Sequence, residues 1–471
     1  MGWRLRVGAT VTTVVALFGG YLVADSYDVV PGMVTLEPAP EPAAPFPTAP
    51  GAVTGPSPAV AVPALSDEAP MPSASATGDL VEELADDDRL GRRVGVMVAD
   101  AGTGETLGAS GQDRLLVPAS TQKVLTAVAA YSGPGGDTRL VTRAMLHSDN
   151  RLVLVGGGDM MLAAGDGDPE AVNGRAGLGD LADQVVAQIA LTGVDRVTVA
   201  VDDTLFTGPA IPPSVTEKRR GESGQDYIAP VAALAVDVAR LSDEKYALRE
   251  DDPALAAAET FADVLAERGV TVTGEIVRQA APSSAQEVGR VESARLGEIV
   301  SYLLRESDNT ITEVVGRLVA IDAGLPGSGE AAVSEVLAEV EGLGVDLTGA
   351  ELTDLSGLGT GSRMTARQLV DTLVVGAAEP ELREAVAGLP VAGLQGTLSD
   401  RFGGDNPGRG YTEAKTGSLP DVRALAGTVV TADDRLLVFA TIADRIPEGG
   451  SFGANLIFDD FVGDLAACGC S

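Results

Sequence analysis

Histidine and cysteine are nearly absent from this sequence. Its 471 residues include a single histidine, His147, and two cysteines, Cys468 and Cys470. A mononuclear zinc hydrolase normally uses several imidazoles, and a serine–histidine–aspartate triad would have to use His147. Two cysteines are too few for a disulfide scaffold or a four-cysteine metal site. If the protein is an enzyme, carboxylates, lysines or hydroxyls must therefore carry its acid–base chemistry.

Lysine is scarce, and so is positive charge in general. The 33 basic residues include only four lysines, Lys123, Lys218, Lys245 and Lys415, and the acidic residues number 68. The formal net charge of −35 disfavours contact with nucleic-acid phosphates, so we expect no nucleic-acid partner. Arginine stays protonated in proteins, whereas a buried lysine can lose its proton. The few lysines are therefore candidates for positions that need a removable proton.

The N-terminus predicts export. Arg4 and Arg6 precede an uncharged, mainly apolar stretch from Val7 to Ala24. This pattern is typical of a signal peptide or an uncleaved signal anchor, which we place within residues 1–27. We expect the rest of the chain to be exported, either anchored on the outer face of the cytoplasmic membrane or secreted to the cell wall. Membrane contact is expected only through this segment.

Residues 28–78 form a predicted linker. Twelve of the 27 prolines fall between Pro31 and Pro72, mixed with alanine, threonine, serine and glycine. Such a segment has too few periodic apolar residues to form a core, and its composition predicts an extended, semi-rigid spacer. The linker would hold the folded part away from the membrane.

The remaining sequence predicts an α+β protein whose main domain is interrupted. Residues 79–138 and 283–471 are predicted to form an antiparallel sheet flanked by helices. Residues 139–282, with short valine-rich strands and amphipathic helices, are predicted to form an inserted mixed α/β domain. Near the C-terminus, Val422–Val430 and Leu436–Ala443 have the pattern of adjacent antiparallel strands joined by a turn.

Ser120 and Lys123 form the first candidate catalytic pair. They begin a predicted helix that runs to about Tyr131, and positions i and i+3 share a helix face. A desolvated neutral lysine can activate a serine, and a helix N-terminus favours a developing oxyanion. Taken alone, an N-cap serine with a solvated lysine explains the pattern better. The segment Ser242-Asp243-Glu244-Lys245 has the same spacing, but its acidic flanks predict a surface ion pair.

Two further motifs contain residues suited to substrate binding. Ser307-Asp308-Asn309 lies between two amphipathic helical segments, where a short loop can project a hydroxyl and an amide into a cleft. Lys415-Thr416-Gly417-Ser418 precedes the Val422–Val430 strand, and an ammonium with a hydroxyl on an edge strand suits a carboxylate. The glycine would let a substrate backbone approach closely. Each motif alone is also a common turn or strand end, and a second copy, Ser148-Asp149-Asn150, predicts a hairpin turn.

The order SxxK, SDN, KTG is the arrangement found in serine enzymes that recognise penicillin. On these motifs the sequence resembles the penicillin-binding proteins, specifically the D-alanyl-D-alanine carboxypeptidase/endopeptidase family of low-molecular-mass class C type. The resemblance runs from about Asp79 onward and includes Leu154–Asp159, Val201–Pro209 and Asp354-Leu355-Ser356-Gly357-Leu358. It implies a β-lactamase-like transpeptidase domain with an insertion after the SxxK helix.

The resemblance also implies catalytic roles. Ser120 would attack the carbonyl between two D-alanines of a peptidoglycan stem peptide, and Lys123 would take its proton to give an acyl-enzyme. Ser307 would relay a proton to the leaving amine, and Asn309 would hold the substrate amide. Water would release the acyl group, so no metal or organic cofactor is implied.

Substrate-binding roles follow from the same resemblance. Lys415 and Thr416 would bind the terminal carboxylate of the stem peptide, alongside Gly417. The backbone N–H groups of Ser120 and Ser418 would form the oxyanion hole. β-Lactams would acylate the serine and leave slowly, which makes them covalent inhibitors.

The sequence departs from the family pattern at two points. Leu355 stands where a small residue is expected, and the interval between Ser120 and Ser307 is short for the family. Two alternative functions also stay open: a β-lactamase with the same motifs, and a catalytically idle wall-binding scaffold with the same fold.

Other properties stay open at the level of sequence. His147 is predicted to be a surface residue, and Cys468 and Cys470 could be oxidised or free. The balance of carboxypeptidase and endopeptidase action, the third residue of the stem peptide and the oligomeric state are not determined.

Overall fold

The computed structural model describes four single residues and two long segments, namely Tyr21, Ala24, Val29, Leu65, 68–221 and 224–469. The predicted signal segment and most of the predicted linker lie outside the described residues, as does Cys470. No helix in the described part of the chain is long and apolar enough to cross a membrane. The elements below belong to one compact unit, Ala64–Ser471.

The described residues form strands β1 to β13 and helices α1 to α11. The strands are β1 Val94–Asp100, β2 Thr106–Ser110, β3 Arg139–Leu146, β4 Arg151–Val155, β5 Asp159–Leu162, β6 Arg196–Asp202, β7 Leu234–Val236, β8 Thr271–Val272, β9 Val277–Arg278, β10 Gln286–Arg295, β11 Thr412–Leu419, β12 Val422–Val430 and β13 Leu436–Asp444. The helices are α1 Ala74–Ala85, α2 Lys123–Ser132, α3 Leu178–Ala190, α4 Glu217–Arg220, α5 Pro253–Glu267, α6 Leu296–Glu306, α7 Asn309–Asp322, α8 Gly329–Gly342, α9 Ala366–Ala378, α10 Arg383–Ala387 and α11 Ser451–Ala467.

The main sheet is antiparallel and covered by helices on both faces. Its strand order is β11-β12-β13-β1-β2. Along β1, successive side chains enter different cores because a strand has a two-residue period. Val96 and Val98 pack with α1 and α11, whereas Met97 and Ala99 join the core of α2 and α6 to α9. The predicted antiparallel sheet with flanking helices is confirmed, including the pairing of β12 with β13.

A second sheet follows α2 and is mixed. Its order is β10-β3-β4-β6-β8, with β9 beside β6; β3 and β10 are antiparallel, whereas β4 and β6 are parallel. Helix α3 packs on β10, and α5 packs on β6. Ser148-Asp149-Asn150 forms the turn between β3 and β4, as predicted. The boundary predicted at residue 282 is too early for this sheet, because β10 at 286–295 pairs with β3.

The fold begins inside the segment predicted as linker. Helix α1 starts at Ala74, and its buried Val81 and Leu84 enter the core of the main sheet. The carbonyl oxygen of Ala69 accepts a hydrogen bond of 3.1 Å from Arg435 Nη1. The linker boundary predicted at residue 78 is therefore wrong. The many prolines upstream of α1 dominate the composition of residues 28–78, although the last of these residues already belong to α1 and the fold.

The candidate site is built on α2, a helix buried along nearly its whole length. Helices α6, α7, α8 and α9 pack around it. The 3-10 turn Ala119–Gln122 precedes α2 and contacts β11 and β12 of the main sheet. The start of α2 therefore lies where the helical core meets the sheet edge.

Candidate active site

Ser120 lies in the 3-10 turn Ala119–Gln122, and Lys123 is the first residue of α2. The helix predicted from Ser120 thus begins three residues later, after a tighter turn. Lys123 Nζ lies 3.0 Å from Ser120 Oγ, so the SxxK spacing does bring amine and hydroxyl together. Ala119 has a φ of 48°, a left-handed conformation that is strained for a residue with a Cβ atom.

The Lys123 ammonium is fully buried. Its Nζ also donates to Asn309 Oδ1 at 2.8 Å and to the carbonyl oxygen of Ser356. Burial lowers the pKa of Lys123 to about 8, while the negative charges of Asp354, Glu313 and Asp308 partly oppose that shift. A lysine in these surroundings can exchange its proton near neutral pH, as a general base requires.

The Ser307-Asp308-Asn309 loop joins α6 to α7. Ser307 adopts a left-handed conformation with φ 56° and ends α6, and Asp308 caps α7 by accepting from Ile311 N at 2.9 Å. Asn309 Nδ2 donates to the carbonyl oxygen of Tyr227 at 2.8 Å, which leaves its Oδ1 directed to Lys123. A cleft lined by Tyr227, Ser307 and Asn309 opens beside this loop.

Lys415, Thr416 and Gly417 lie on β11, the edge strand of the main sheet. Lys415 Nζ donates to Ser307 Oγ at 2.9 Å, so the second and third motifs meet directly. Burial and the charge of Lys123 hold the pKa of Lys415 well below its usual range. A Cβ atom at Gly417 would lie 2.7 Å from the carbonyl oxygen of Pro118, so this strand approaches the turn that contains Ser120 too closely for a larger residue.

Thr416 and Ser418 flank that glycine at the sheet edge. Thr416 Oγ1 donates to Thr397 Oγ1 at 2.9 Å, and the Ser418 side chain is exposed. All three motifs thus converge on the start of α2.

The two look-alike motifs take no part in these contacts, although Lys245 lines the same cleft as Ser307 and Asn309. Lys245 forms an exposed ion pair of 3.2 Å with Glu306, as predicted for a surface lysine. His147 lies in the β3–β4 turn, with Nδ1 2.9 Å from Asp149 Oδ1. Neither residue contacts Ser120.

The loop Asp354–Gly359 is a part of the site that lies outside the three motifs. The carbonyl oxygen of Ser356 accepts from Ser120 Oγ at 3.1 Å and from Lys123 Nζ. A Cβ atom at Gly357, where φ is 73°, would lie 2.1 Å from the Ala119 carbonyl oxygen. The Asp354 carboxylate holds the loop by accepting from Gly357 N at 2.7 Å and from Ser356 Oγ at 2.8 Å. The Ser-Gly pair after an aspartate was a usable signal in the sequence.

The departure at Leu355 is accommodated within the fold. The Leu355 side chain is fully buried against α7, and a Cβ atom at Gly316 would lie only 1.9 Å from its Cδ1. Gly316 therefore provides the space that the larger residue needs. The loop contacts Ser120 and Lys123 despite the leucine.

The chain is similar to known proteins in sequence and in fold. A model of the D-Ala-D-Ala carboxypeptidase 3 (S13) family matches residues 77–250 and 239–453. A carboxypeptidase of Mycobacterium tuberculosis is 35% identical over 417 residues, covering 86% of this chain and 87% of that protein. A D-alanyl-D-alanine carboxypeptidase of Actinomadura sp. is 30% identical over 441 residues, covering 78% and 81%.

Penicillin-binding protein 4 from Haemophilus influenzae shares the fold, with a TM-score of 0.67 at 19% sequence identity over 82% of this chain and 98% of that chain. Fold and motifs together define a serine hydrolase of the penicillin-recognising class. The chain belongs to the D-Ala-D-Ala carboxypeptidase 3 (S13) family and is a serine-type D-Ala-D-Ala carboxypeptidase.

Proposed function

We propose that Ser120 is the nucleophile and Lys123 its general base in the cleavage of D-Ala-D-Ala termini of peptidoglycan stem peptides. The 3.0 Å contact between Lys123 Nζ and Ser120 Oγ carries this assignment. Attack of Oγ on the carbonyl between the two D-alanines forms the acyl-enzyme and releases the terminal D-alanine. A water molecule then hydrolyses the ester and restores Ser120.

Ser307 and Lys415 are proposed to handle the leaving group. Their contact of 2.9 Å links Lys415 to a hydroxyl that can pass a proton to the departing amine. The terminal carboxylate of the substrate binds at Lys415 and Thr416, where a cation and a hydroxyl lie on the same edge strand.

The acyl part of the substrate is proposed to lie between Asn309 and β11. Asn309 holds the substrate amide, and Gly417 leaves room for the substrate backbone along the strand. The backbone N–H groups of Ser120 and Ser418 stabilise the oxyanion. β-Lactams acylate the same serine, and the same chemistry on a cross-linked stem peptide constitutes endopeptidase action.

The place of action is proposed to be outside the cytoplasm. Support comes from Arg4 and Arg6 ahead of the uncharged stretch Val7–Ala24, and from the proline-rich segment that follows. The N-terminal segment is the proposed membrane contact. Fusion of residues 1–78 to a periplasmic or secreted reporter tests this: retention of the reporter in the cytoplasm would contradict export.

The activity is tested by release of D-alanine from an acyl-D-Ala-D-Ala peptide. The parent is expected to release one D-alanine per peptide, and Ser120→Ala is expected to release none. Hydrolysis of penicillin without peptide cleavage would favour the β-lactamase alternative. A folded protein that cleaves neither substrate would favour the idle scaffold.

A further inference from the structure

Glu313 lies on α7 one helical turn after Asn309, so the two side chains share a helix face. Glu313 is only 1% exposed. One carboxylate oxygen, Oε1, accepts hydrogen bonds from both Leu355 N and Ser356 N, each at 2.9 Å. The carboxylate therefore holds the loop Asp354–Gly359 from the side of α7.

The residue held in this way is the one that contacts the catalytic pair. The carbonyl oxygen of Ser356 accepts from Ser120 Oγ and Lys123 Nζ, while its own N–H is bound by Glu313. Helix α7 thus reaches Lys123 twice, directly through Asn309 and indirectly through Glu313 and Ser356. Movement of the loop would therefore alter, at the same time, the hydrogen bonds that Ser120 and Lys123 donate to the Ser356 carbonyl oxygen.

The ionisable character of Glu313 is not needed to bind two amides. A glutamine Oε1 accepts the same N–H groups without a buried charge, and burying a carboxylate is costly. Burial raises the pKa of Glu313 to about 7, so the carboxylate is mostly ionised in the range where Lys123, with a pKa of about 8, loses its proton. Arg317, one turn further along α7, donates to the carbonyl oxygens of Thr207 and Pro209 instead. A carboxylate at this position is better explained by its effect on the neighbouring lysine.

Resting on the proposed function, we infer that Glu313 is a positioning residue for acylation: it fixes the Ser356 carbonyl oxygen for Ser120 and Lys123, and it adds negative charge to the surroundings of Lys123. The other charged groups that act on Lys123 are Asp308 at the start of α7 and Asp354 in the loop, while Lys415 on β11 couples to it as a second cation.

Two substitutions separate position from charge. Glu313→Gln keeps an acceptor for both amides but removes the charge, whereas Glu313→Leu removes the acceptor as well. Glu341→Gln, an exposed glutamate near the end of α8, is the matched control for loss of one negative charge. The measurement is the second-order rate of acylation of the full chain by benzylpenicillin between about pH 5.5 and 9.5, with thermal unfolding recorded for each variant.

In Glu313→Gln, the rise of the rate with pH should move to lower pH by about half a unit or more, because a lysine without a nearby carboxylate loses its proton more readily. In Glu313→Leu, the rate should fall about tenfold or more at every pH, because the Ser356 carbonyl is no longer fixed. Glu341→Gln should match the parent in both respects.

A Glu313→Gln profile that superposes on the parent would overturn the role of the charge. A folded Glu313→Leu variant that acylates within about twofold of the parent would overturn the positioning role. If the leucine variant does not fold, the glutamine profile still decides the role of the charge. Absence of acylation in the parent itself would instead refute the proposed function, and this inference with it.

Discussion

In its proposed role as general base, Lys123 must be able to lose and regain a proton although it is buried, and its surroundings allow this. Burial lowers its pKa to about 8, and three acidic residues prevent a larger fall. Lys123→Arg keeps a positive charge that cannot be removed. Acylation by benzylpenicillin is expected to fall at least about a hundredfold, the size typical of a lost general base.

The matched control is Lys218→Arg, because Lys218 is an exposed lysine in α4, outside the cleft beside Ser307 and Asn309. Its acylation rate should equal that of the parent in the same stopped-flow measurement. Comparable losses in the two variants would show that Lys123 has no special role. In the sequence, acidic flanking residues set Lys245 apart from Lys123, but the full burial of Lys123 comes from tertiary packing.

A second residue-scale prediction concerns Asp159, which is buried at the start of β5 and accepts a hydrogen bond of 2.8 Å from Met161 N. Burial raises its pKa to about 7 from 3.8. The folded state binds the proton of the Asp159 carboxyl more tightly than the unfolded state does. Protonated Asp159 therefore stabilises the fold most below about pH 4, and this stabilisation is lost as pH rises through 7.

Asp159→Asn removes that pH dependence and keeps the hydrogen-bond acceptor. Its free energy of unfolding at pH 8 should exceed that of the parent by about 1–2 kcal/mol. Asp243→Asn, at an exposed position, is the control and should change nothing. Denaturant unfolding at pH 5 and 8 measures the effect. If the unfolding free energy changes between these pH values by the same amount in Asp159→Asn and in the parent, the raised pKa of Asp159 is contradicted.

At the scale of elements, α7 and the loop Asp354–Gly359 fit one another through Gly316 and Leu355. Gly316→Ala should destabilise the protein by about 1–3 kcal/mol, because its new Cβ atom overlaps the Leu355 side chain. The same variant should acylate more slowly, since displacement of Leu355 moves the neighbouring Ser356 carbonyl.

The double variant Gly316→Ala with Leu355→Ala tests the coupling. Its loss of unfolding free energy should be smaller than the sum of the two single losses by about 1 kcal/mol or more, because the alanine at position 316 then occupies the space left by the Leu355 side chain. Strict additivity in thermal or denaturant unfolding would show that the two residues do not compete for space.

The periodicity of apolar residues was sufficient to predict the helices and strands whose pattern lies within one short stretch of sequence. Helices α6 and α7 could be predicted from their apolar stripes, and β12 and β13 from a short turn between two apolar runs. Strand β10 could not be assigned to its sheet, because its pairing with β3 links residues far apart in the chain. The contact of Gly357 with Ala119 likewise depends on tertiary packing that no spacing rule contains.

At the scale of the whole molecule, the order of the three motifs predicted the fold, whereas the contact of Lys415 with Ser307 is known only from the structure. The sequence placed the start of the fold too late, because proline content obscured the end of the linker.

A chain shortened to begin at Gly78 loses the first turn of α1 and the Ala69 contact with Arg435. Compared with one beginning at Ala64, it should lose about 1–3 kcal/mol of unfolding free energy. Equal unfolding midpoints for the two would contradict this start of the fold.

The most direct test is intact-mass spectrometry of the full chain after incubation with benzylpenicillin, beside its Ser120→Ala variant. The contacts of Ser120 with Lys123 and Ser356 predict a persistent one-to-one adduct on the parent, located to the peptide that contains Ser120, and no adduct on the variant. An unmodified parent, or an adduct that persists in Ser120→Ala, would contradict the assignment of Ser120 as the nucleophile.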